Sequence, residues 1–222
     1  NSGPHPQDEP LPGGFPFVDD NGKPISHTDN YAHLFAGYGI SLGYDVIKKE
    51  PVCRGTALNL DTDNSQQAFF AQAKGLAAMN NVPSGNADLQ AHLPALAERN
   101  QLNPVRDYLA VLEWDGKDRI ERLVAEMSVH DPIIGKIALT VWLTGAVAAC
   151  EHFETGVGLV PDARPSFEYV LAIFGEQGTN KTKGFLGLVP KALVRYAKDG
   201  ITLRISDKDS VKIAVSYWLA EL

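Results

Sequence analysis

The sequence predicts an α/β protein with a helix-rich N-terminal part. Three observations support this fold class. Amphipathic helical patterns recur between residues 26 and 153, a run of β-forming apolar side chains covers residues 167–174, and a glycine-containing turn with another helical pattern follows it. A chain of 222 residues with 44% hydrophobic and 21% charged residues is long enough for one large or two small cores.

The first 113 residues predict a linker followed by a small domain. Proline, glycine and charged residues dominate the start of the chain, so we predict a disordered linker over residues 1–25. Residues 26–113 predict a small helix-rich α+β domain. Its expected helices follow the capping residues 26–30, then cover 65–79 and 86–100, and finally run from 104 to 112. A short strand over 44–53, pairing with 57–60, completes this prediction.

Residues 114–155 predict a helical pair. A turn at 114–116 precedes a helix over 117–127, and a nearly all-apolar helix covers 132–153. The longest apolar stretch is shorter than the roughly 20 residues that a membrane span requires, so we interpret it as a buried helix and expect no membrane partner. Trp114 is expected to be a packing anchor, and Cys150 a small buried hydrophobe.

The cysteines and the start of the chain indicate the compartment. Cys53 and Cys150 have no metal-binding spacing, and no charged-then-apolar leader with a cleavage site opens the chain. We therefore expect a cytoplasmic protein.

Residues 156–222 contain the motif that carries chemistry. The β-rich run 167–174 favours a buried strand, and residues 175–182 then match the phosphate-binding pattern G-x-x-x-x-G-K-[ST], except that Asn180 replaces the second glycine. Such a loop binds phosphates through backbone N–H groups at the start of a helix. Asparagine tolerates the left-handed conformation better than most residues, so we predict a partial P-loop NTPase core that binds ATP here. The predicted nucleotide-binding residues are Gly175, Glu176, Gln177, Gly178, Thr179, Asn180, Lys181 and Thr182.

Two of these residues and one acid have expected chemical roles. Lys181 is expected to contact the β and γ phosphates, and the Thr182 hydroxyl to ligate Mg²⁺. A P-loop ATPase also needs an acid at the end of a neighbouring strand, and Glu221 directly follows the β-capable residues 215–220. We predict Lys181 and Glu221 as catalytic residues, and Thr182 and Glu221 as metal ligands. A plain strand-to-helix turn and an ordinary surface acid are the alternative interpretations.

The charge distribution bears on partners. From Lys181 onward there are eight basic and four acidic residues, a net charge of +4, whereas the preceding part of the chain has a net charge of −11. A polyanion such as single-stranded DNA would be attracted to the C-terminal part. A solvated surface of mixed charge explains the same distribution equally well.

Five segments in fixed order carry a family resemblance. They are NPVRDYL at 103–109, WDGKDRI at 114–120, GEQG at 175–178, KD at 208–209 and WLAEL at 218–222. Together they resemble the virulence-associated E family of phages, plasmids and mobile islands, with a likeness that runs from about residue 28 to residue 222. Members are helicase-like ATPases similar to superfamily 3 helicases. They have an AAA+-like core that typically works as a ring and is often preceded by a primase-like domain.

The resemblance implies roles and partners. It implies an AAA+-like core in which Lys181 and Thr182 hold phosphate and metal and Glu221 is the Walker B acid, acting on single-stranded DNA in a homo-oligomeric ring. Sensor residues and an arginine finger would be expected beyond Leu222. We therefore expect a truncated core over 156–222 that binds nucleotide weakly and hydrolyses it poorly. The alternative is a non-hydrolysing binding or recruitment module. A kinase is less favoured because no acceptor-site signature is present.

Overall fold

The computed structural model describes residues 6–55, 64–151, 170–204 and 206–221. The chain divides into two compact units. The N-terminal unit comprises Asn1–Asp45 and Lys49–Leu102, and the C-terminal unit comprises Val46–Lys48 and Asn103–Leu222.

Three helices build the core of the N-terminal unit. They are α1 (Thr28–Gly37), α2 (Ser65–Met79) and α3 (Asn86–Glu98). Apolar residues recur at helical spacing in each of them, which directs one side of every helix inward. The buried cluster consists of Tyr31, Leu34, Phe35, Tyr38, Ile40, Phe69, Ala73, Leu76, Ala77, Val82, Leu89 and Leu96. The helices predicted from the sequence for this region are therefore confirmed within two residues at most boundaries.

A small sheet completes the N-terminal unit. Strand β1 (Ser41–Asp45) pairs antiparallel with β2 (Glu50–Arg54) and parallel with β3 (Gln101–Leu102). The prediction of one strand across 44–53 is wrong, because the chain reverses direction after β1 and Lys49 adopts a left-handed φ of 57°. The predicted partner strand 57–60 lies outside the described residues.

The segment before α1 has defined contacts, so the predicted linker is wrong for residues 6–25. Leu11 packs against the core, and its backbone N–H donates to Asn80 Oδ1 at 2.7 Å. Farther along, Phe17 N–H donates to Asn30 Oδ1 at 3.0 Å, and Asn30 Nδ2 donates to the Ile25 carbonyl at 2.8 Å. Two buried asparagines thus satisfy the backbone of a segment whose composition alone indicated disorder.

The C-terminal unit begins with three helices. They are α4 (Pro104–Ala110), α5 (Arg119–Met127) and α6 (Pro132–Glu151). Asn103 caps α4 by accepting from Arg106 N–H at 3.1 Å, and proline stands at the first helical position, where no N–H is needed. These local signals explain why α4 begins where the sequence predicts.

Helix α6 is apolar but only partly buried, which corrects the prediction of a buried helix. Leu139 and Cys150 are buried, as expected for Cys150. The opposite side exposes five β-branched residues: Ile133, Ile134, Ile137, Val141 and Val147. By length and composition alone, the stretch Pro132–Cys150 could cross a membrane, although core helices pass the same test. Composition showed that the helix was apolar, but it could not show how much of its circumference is covered.

Short elements make up the described residues of the C-terminal unit after α6. They are α7 (Lys181–Gly187), a 3₁₀ helix (Lys191–Tyr196), β4 (Ala197–Lys198), α8 (Lys208–Ala214) and β5 (Leu219–Ala220). Strands β4 and β5 pair in parallel, with Ala197 opposite Leu219. The strand expected over 215–220 is shortened to β5, because α8 continues to Ala214 and a turn follows.

The strand expected before the loop is absent over its described part. Residues 170–174 have no strand conformation, and the predicted residues 167–169 lie outside the described part of the chain. Val170 and Phe174 are 82% and 92% exposed. The apolar sequence indicated burial, but a strand also needs a hydrogen-bonded neighbour, and the described residues provide none for this segment.

Candidate nucleotide-binding site

The backbone of the loop adopts the conformation that a glycine-containing turn requires. Gly178 has a φ of 86°, and Asn180 lies in the left-handed region with φ 56° and ψ 28°. Asn180 is the N-cap of α7, and its carbonyl accepts from Gly184 N–H at 2.9 Å. The left-handed conformation expected of Asn180 is therefore present. The chain can turn from the loop into α7 without a glycine at this position.

The ammonium of Lys181 folds back over the loop. Its Nζ donates to the carbonyls of Gly175 at 3.1 Å and Glu176 at 2.7 Å, and lies 3.2 Å from Thr179 Oγ1. Thr179 Oγ1 in turn donates to the Glu176 carbonyl at 2.9 Å. Two carbonyls thus point at the lysine, where the sequence led us to expect amide hydrogens pointing at a ligand. Gln177 lies on the exposed turn between these groups.

Thr182 and Glu221 lie together although 39 residues separate them in the chain. The Thr182 hydroxyl donates to Glu221 Oε1 at 2.8 Å. Glu221 directly follows β5, and its backbone is held on both sides. Its N–H donates to the Lys198 carbonyl at 2.8 Å, and its carbonyl accepts from Ile201 N–H at 2.9 Å. The hydrogen bond with Thr182 shows that the acid lies beside the first turn of α7.

The second carboxylate oxygen of Glu221 has an unusual environment. Oε2 is buried and has no hydrogen-bond partner among the described residues. Buried polar atoms are nearly always paired, so an unpaired buried oxygen is a candidate position for a ligand. A carboxylate oxygen beside a hydroxyl fits Mg²⁺, which takes oxygen ligands and often uses only one or two carboxylates together with phosphates. No group of three or more His, Cys, Asp or Glu side chains occurs in the described part, so an all-protein metal cage is not formed there.

Two tryptophans outside the predicted site residues make contacts with the elements that carry the site. Trp218 precedes β5, and its Nε1 donates to the Ala146 carbonyl of α6 at 2.8 Å. Trp142, also on α6, packs against Phe185 of α7 with ring centroids 5.9 Å apart. Helix α6 therefore contacts both the helix that carries Thr182 and the segment that leads to Glu221. No spacing in the sequence indicates these contacts, because they join segments far apart in the chain.

The described residues define a mixed α/β protein in which helices predominate. A family model for the virulence-associated protein E-like domain matches residues 109–222. The match covers just over half of the chain, and the chain belongs to this family. It includes the whole predicted loop and Glu221, and it lies entirely within the C-terminal unit. No curated protein matches the chain.

Proposed function

We propose that this chain carries the nucleoside-triphosphate site of an ATP-dependent DNA helicase or replication protein of a mobile element. One observation supports the proposal most strongly. The Thr182 hydroxyl and the Glu221 carboxylate, assigned separately from the loop motif and from the strand end, form a 2.8 Å hydrogen bond. A chance pair of surface residues has no reason to coincide with both assignments.

Different residues of the site would bind the phosphates and the metal ion. Mg²⁺ held by Thr182 and Glu221 would neutralise charge on the bound phosphates. Lys181 would have to leave the carbonyls of Gly175 and Glu176 to reach the β and γ phosphates. Because those hydrogen bonds must be given up on binding, we expect modest affinity for ATP.

The proposal includes a DNA partner, an oligomeric state and a slow rate of ATP turnover. The net charge of +4 after residue 180 is our basis for proposing single-stranded DNA as a partner, in a cytoplasmic homo-oligomeric ring. We propose that the chain turns over ATP slowly, because Lys181 must first leave the carbonyls of Gly175 and Glu176.

Thermal-shift titration with ATP and MgCl₂ tests nucleotide binding. A ligand that binds only the folded state must raise Tm, by an amount that grows with its concentration above Kd. We expect the wild-type Tm to rise and the Lys181→Ala variant to lose the rise. Lys183→Ala is the matched control, because Lys183 is exposed on the same helix and lies outside the predicted site. It should respond like the wild type.

A second comparison tests the metal. The wild-type shift with ATP should be larger in MgCl₂ than in EDTA, because Mg²⁺ adds the contacts with Thr182 and Glu221. Glu221→Gln should keep the EDTA shift and lose the magnesium-dependent increment. An undiminished increment in Glu221→Gln would contradict the metal role.

A non-hydrolysing binding or recruitment module is the second proposed function, and two observations favour it. Residues 170–174 form no strand before the loop, and two loop carbonyls accept from Lys181. Under this proposal, millimolar ATP leaves the wild-type Tm unchanged, or the Lys181→Ala variant shifts as much as the wild type. Either result excludes the ATPase proposal.

A further inference from the structure

Trp114 lies on the surface, which corrects the expectation that it is a packing anchor. Its side chain is 80% exposed. In the turn that carries it, Arg119 donates two hydrogen bonds to the Asp115 carboxylate, at 2.6 and 2.8 Å. Trp114 Nε1 donates to the Lys117 carbonyl at 3.3 Å, a contact within the same turn. The long-range contact expected of Trp114 is made instead by Trp218.

Trp218 fastens the segment before Glu221 to two other elements. Its Nε1 donates at 2.8 Å to the carbonyl of Ala146, 72 residues away on α6. Its backbone N–H donates to the Tyr196 carbonyl at 2.8 Å, and Tyr196 is buried. Leu219, the next residue, is buried as well. Trp218 is therefore held by its side chain on α6 and by its backbone at the end of the 3₁₀ helix.

The connection from Trp218 to Glu221 is short and paired. Ala220 lies opposite Lys198 in the parallel pair of β4 and β5, and Glu221 N–H donates to the Lys198 carbonyl at 2.8 Å. An extended chain rises about 3.3 Å per residue, so the three steps from Trp218 to Glu221 span about 10 Å. Because this connection is short and hydrogen-bonded, a shift of Trp218 is transmitted to Glu221.

The helix that carries Thr182 is attached to the same side of α6. Trp142 of α6 packs against Phe185 of α7, with ring centroids 5.9 Å apart. Phe185 follows Thr182 by three residues, so the two side chains are neighbours on α7. Trp142 and Ala146 are four residues apart and are likewise neighbours on α6. Two points one turn apart on α6 therefore hold the elements that carry Thr182 and Glu221.

Helix α6 is itself fixed near both ends. Near its start, Lys136 Nζ donates to Asp118 at 2.7 Å and to Glu121 at 3.2 Å, where α5 begins. Near its end, Asn103 Nδ2 donates to the Cys150 carbonyl at 2.6 Å, and both residues are buried. All these residues belong to the C-terminal unit. A helix held in this way keeps the spacing between points along its middle nearly constant.

We propose that Trp218 is a positioning residue, and that α6 sets the spacing between Thr182 and Glu221. The indole N–H holds the start of β5 at one point of α6, and the ring of Phe185 holds α7 one turn away. The Thr182 hydroxyl and the Glu221 carboxylate are thereby kept 2.8 Å apart without a ligand. Groups that orient metal ligands raise metal affinity in this way. The benefit for Mg²⁺ rests on the proposed function, whereas the spacing itself does not.

Amide hydrogen exchange of the ligand-free chain, measured by NMR, tests the spacing. Trp218→Phe keeps an aromatic ring and removes the indole N–H. Because one hydrogen bond to α6 is lost, the Glu221 amide should exchange about twofold to tenfold faster. Trp114→Phe is the matched control, since it makes the same change at an exposed tryptophan. Circular dichroism should show both variants folded.

The exchange measurement has a clear contrary outcome. Trp114→Phe should leave the exchange rate of the Glu221 amide unchanged. Equal rates in Trp218→Phe and the wild type overturn the proposal, whether or not the chain binds nucleotide.

Thermal-shift titration with ATP separates positioning from a role in stability alone. A role in stability alone lowers the Tm of the ligand-free variant and leaves the magnesium-dependent increment of the ATP shift intact. We expect Trp218→Phe to keep the ATP shift in EDTA and to lose most of that increment, because changes around metal ligands typically cost about tenfold or more in metal affinity. Trp114→Phe should keep both.

Phe185→Leu acts on the other contact with α6 and provides a second variant should Trp218→Phe unfold. It should also lose most of the magnesium-dependent increment. An undiminished increment in a folded Trp218→Phe, or in Phe185→Leu, overturns the positioning role. A wild type with no ATP shift overturns the proposed function instead, and the exchange rate of the Glu221 amide then tests the spacing by itself.

Discussion

The N-terminal unit and the loop-bearing part of the C-terminal unit differ in how they are stabilised. In the first, three helices of ten or more residues bury a continuous apolar cluster. In the second, residues 170–221 form helices of seven residues at most and strands of two, around a few buried side chains. The first region buries much apolar surface, which stabilises its fold. The second region buries few apolar side chains.

The buried polar groups show the same difference. In the N-terminal unit, Asn80 donates to Tyr38 Oη and to the Leu76 carbonyl and accepts from Leu11 N–H, so its amide is fully used. In the C-terminal unit, Glu221 Oε2 is buried without a partner among the described residues. A satisfied buried amide contributes to structure. The unsatisfied buried oxygen of Glu221, beside the Thr182 hydroxyl, is the observation behind the proposed metal site.

The largest expected effect lies in the N-terminal core. Leu34→Ala removes a fully buried side chain and should lower the free energy of unfolding by about 2–5 kcal/mol. Val170→Ala, at an exposed position of the other region, should change it by less than about 0.5 kcal/mol. Urea unfolding followed by circular dichroism measures both. Similar losses for the two variants would remove the contrast between the regions.

The next effect concerns the segment before α1. Asn80→Ala leaves Leu11 N–H and Tyr38 Oη without this partner and should cost about 1–3 kcal/mol. Amide hydrogen exchange at Leu11 should accelerate in the variant. Asn64→Ala serves as the control, because Asn64 is exposed and its side chain makes no capping bond. Unchanged protection at Leu11 would show that other contacts hold the segment.

A smaller effect is expected at the loop. Asn180→Val places a β-branched residue at φ 56° and should cost about 1–2 kcal/mol. Asn180→Gly fits that conformation and should leave stability within a few tenths of a kcal/mol, because glycine's freedom in the unfolded chain offsets the relief. Urea unfolding compares the two. If valine is tolerated as well as glycine, the left-handed turn is not required for this part to fold.

The smallest effect is the pH dependence of the Trp114 turn. The hydrogen bonds from Arg119 hold the pKa of Asp115 below its ordinary value of 3.8. A lowered pKa means that the folded state binds the proton less readily than the unfolded state. The stabilisation is therefore complete above about pH 5 and is lost as the pH falls through 3.8 toward the lower folded pKa. The turn is exposed, so solvent screening keeps the effect small.

Melting curves of the wild type and Asp115→Asn test this prediction. The difference in Tm should be constant from about pH 5 to 7 and should shrink as the pH falls below about 4. A difference that stays constant down to the lowest pH would contradict the contribution of the Asp115 carboxylate.

Local chemistry made much of this protein predictable. Pro104 after Asn103 fixes the start of α4, and an asparagine at position 180 was expected to adopt the left-handed conformation that it has. The order of short motifs indicated the virulence-associated E family, which the family match at residues 109–222 confirms. Each of these signals resides in neighbouring residues, where capping, φ preference and spacing act within a turn or two.

Other features of the fold and of the candidate site depend on tertiary contacts. Whether residues 170–174 form a strand depends on a neighbouring strand, and whether α6 is covered depends on what packs against it. The sequence shows neither. The contact of Thr182 with Glu221 joins residues 39 positions apart, and Trp114 is 80% exposed although its sequence led us to expect a packing anchor. These features depend on which segments, far apart in the chain, pack or pair with one another. No local sequence pattern determines that.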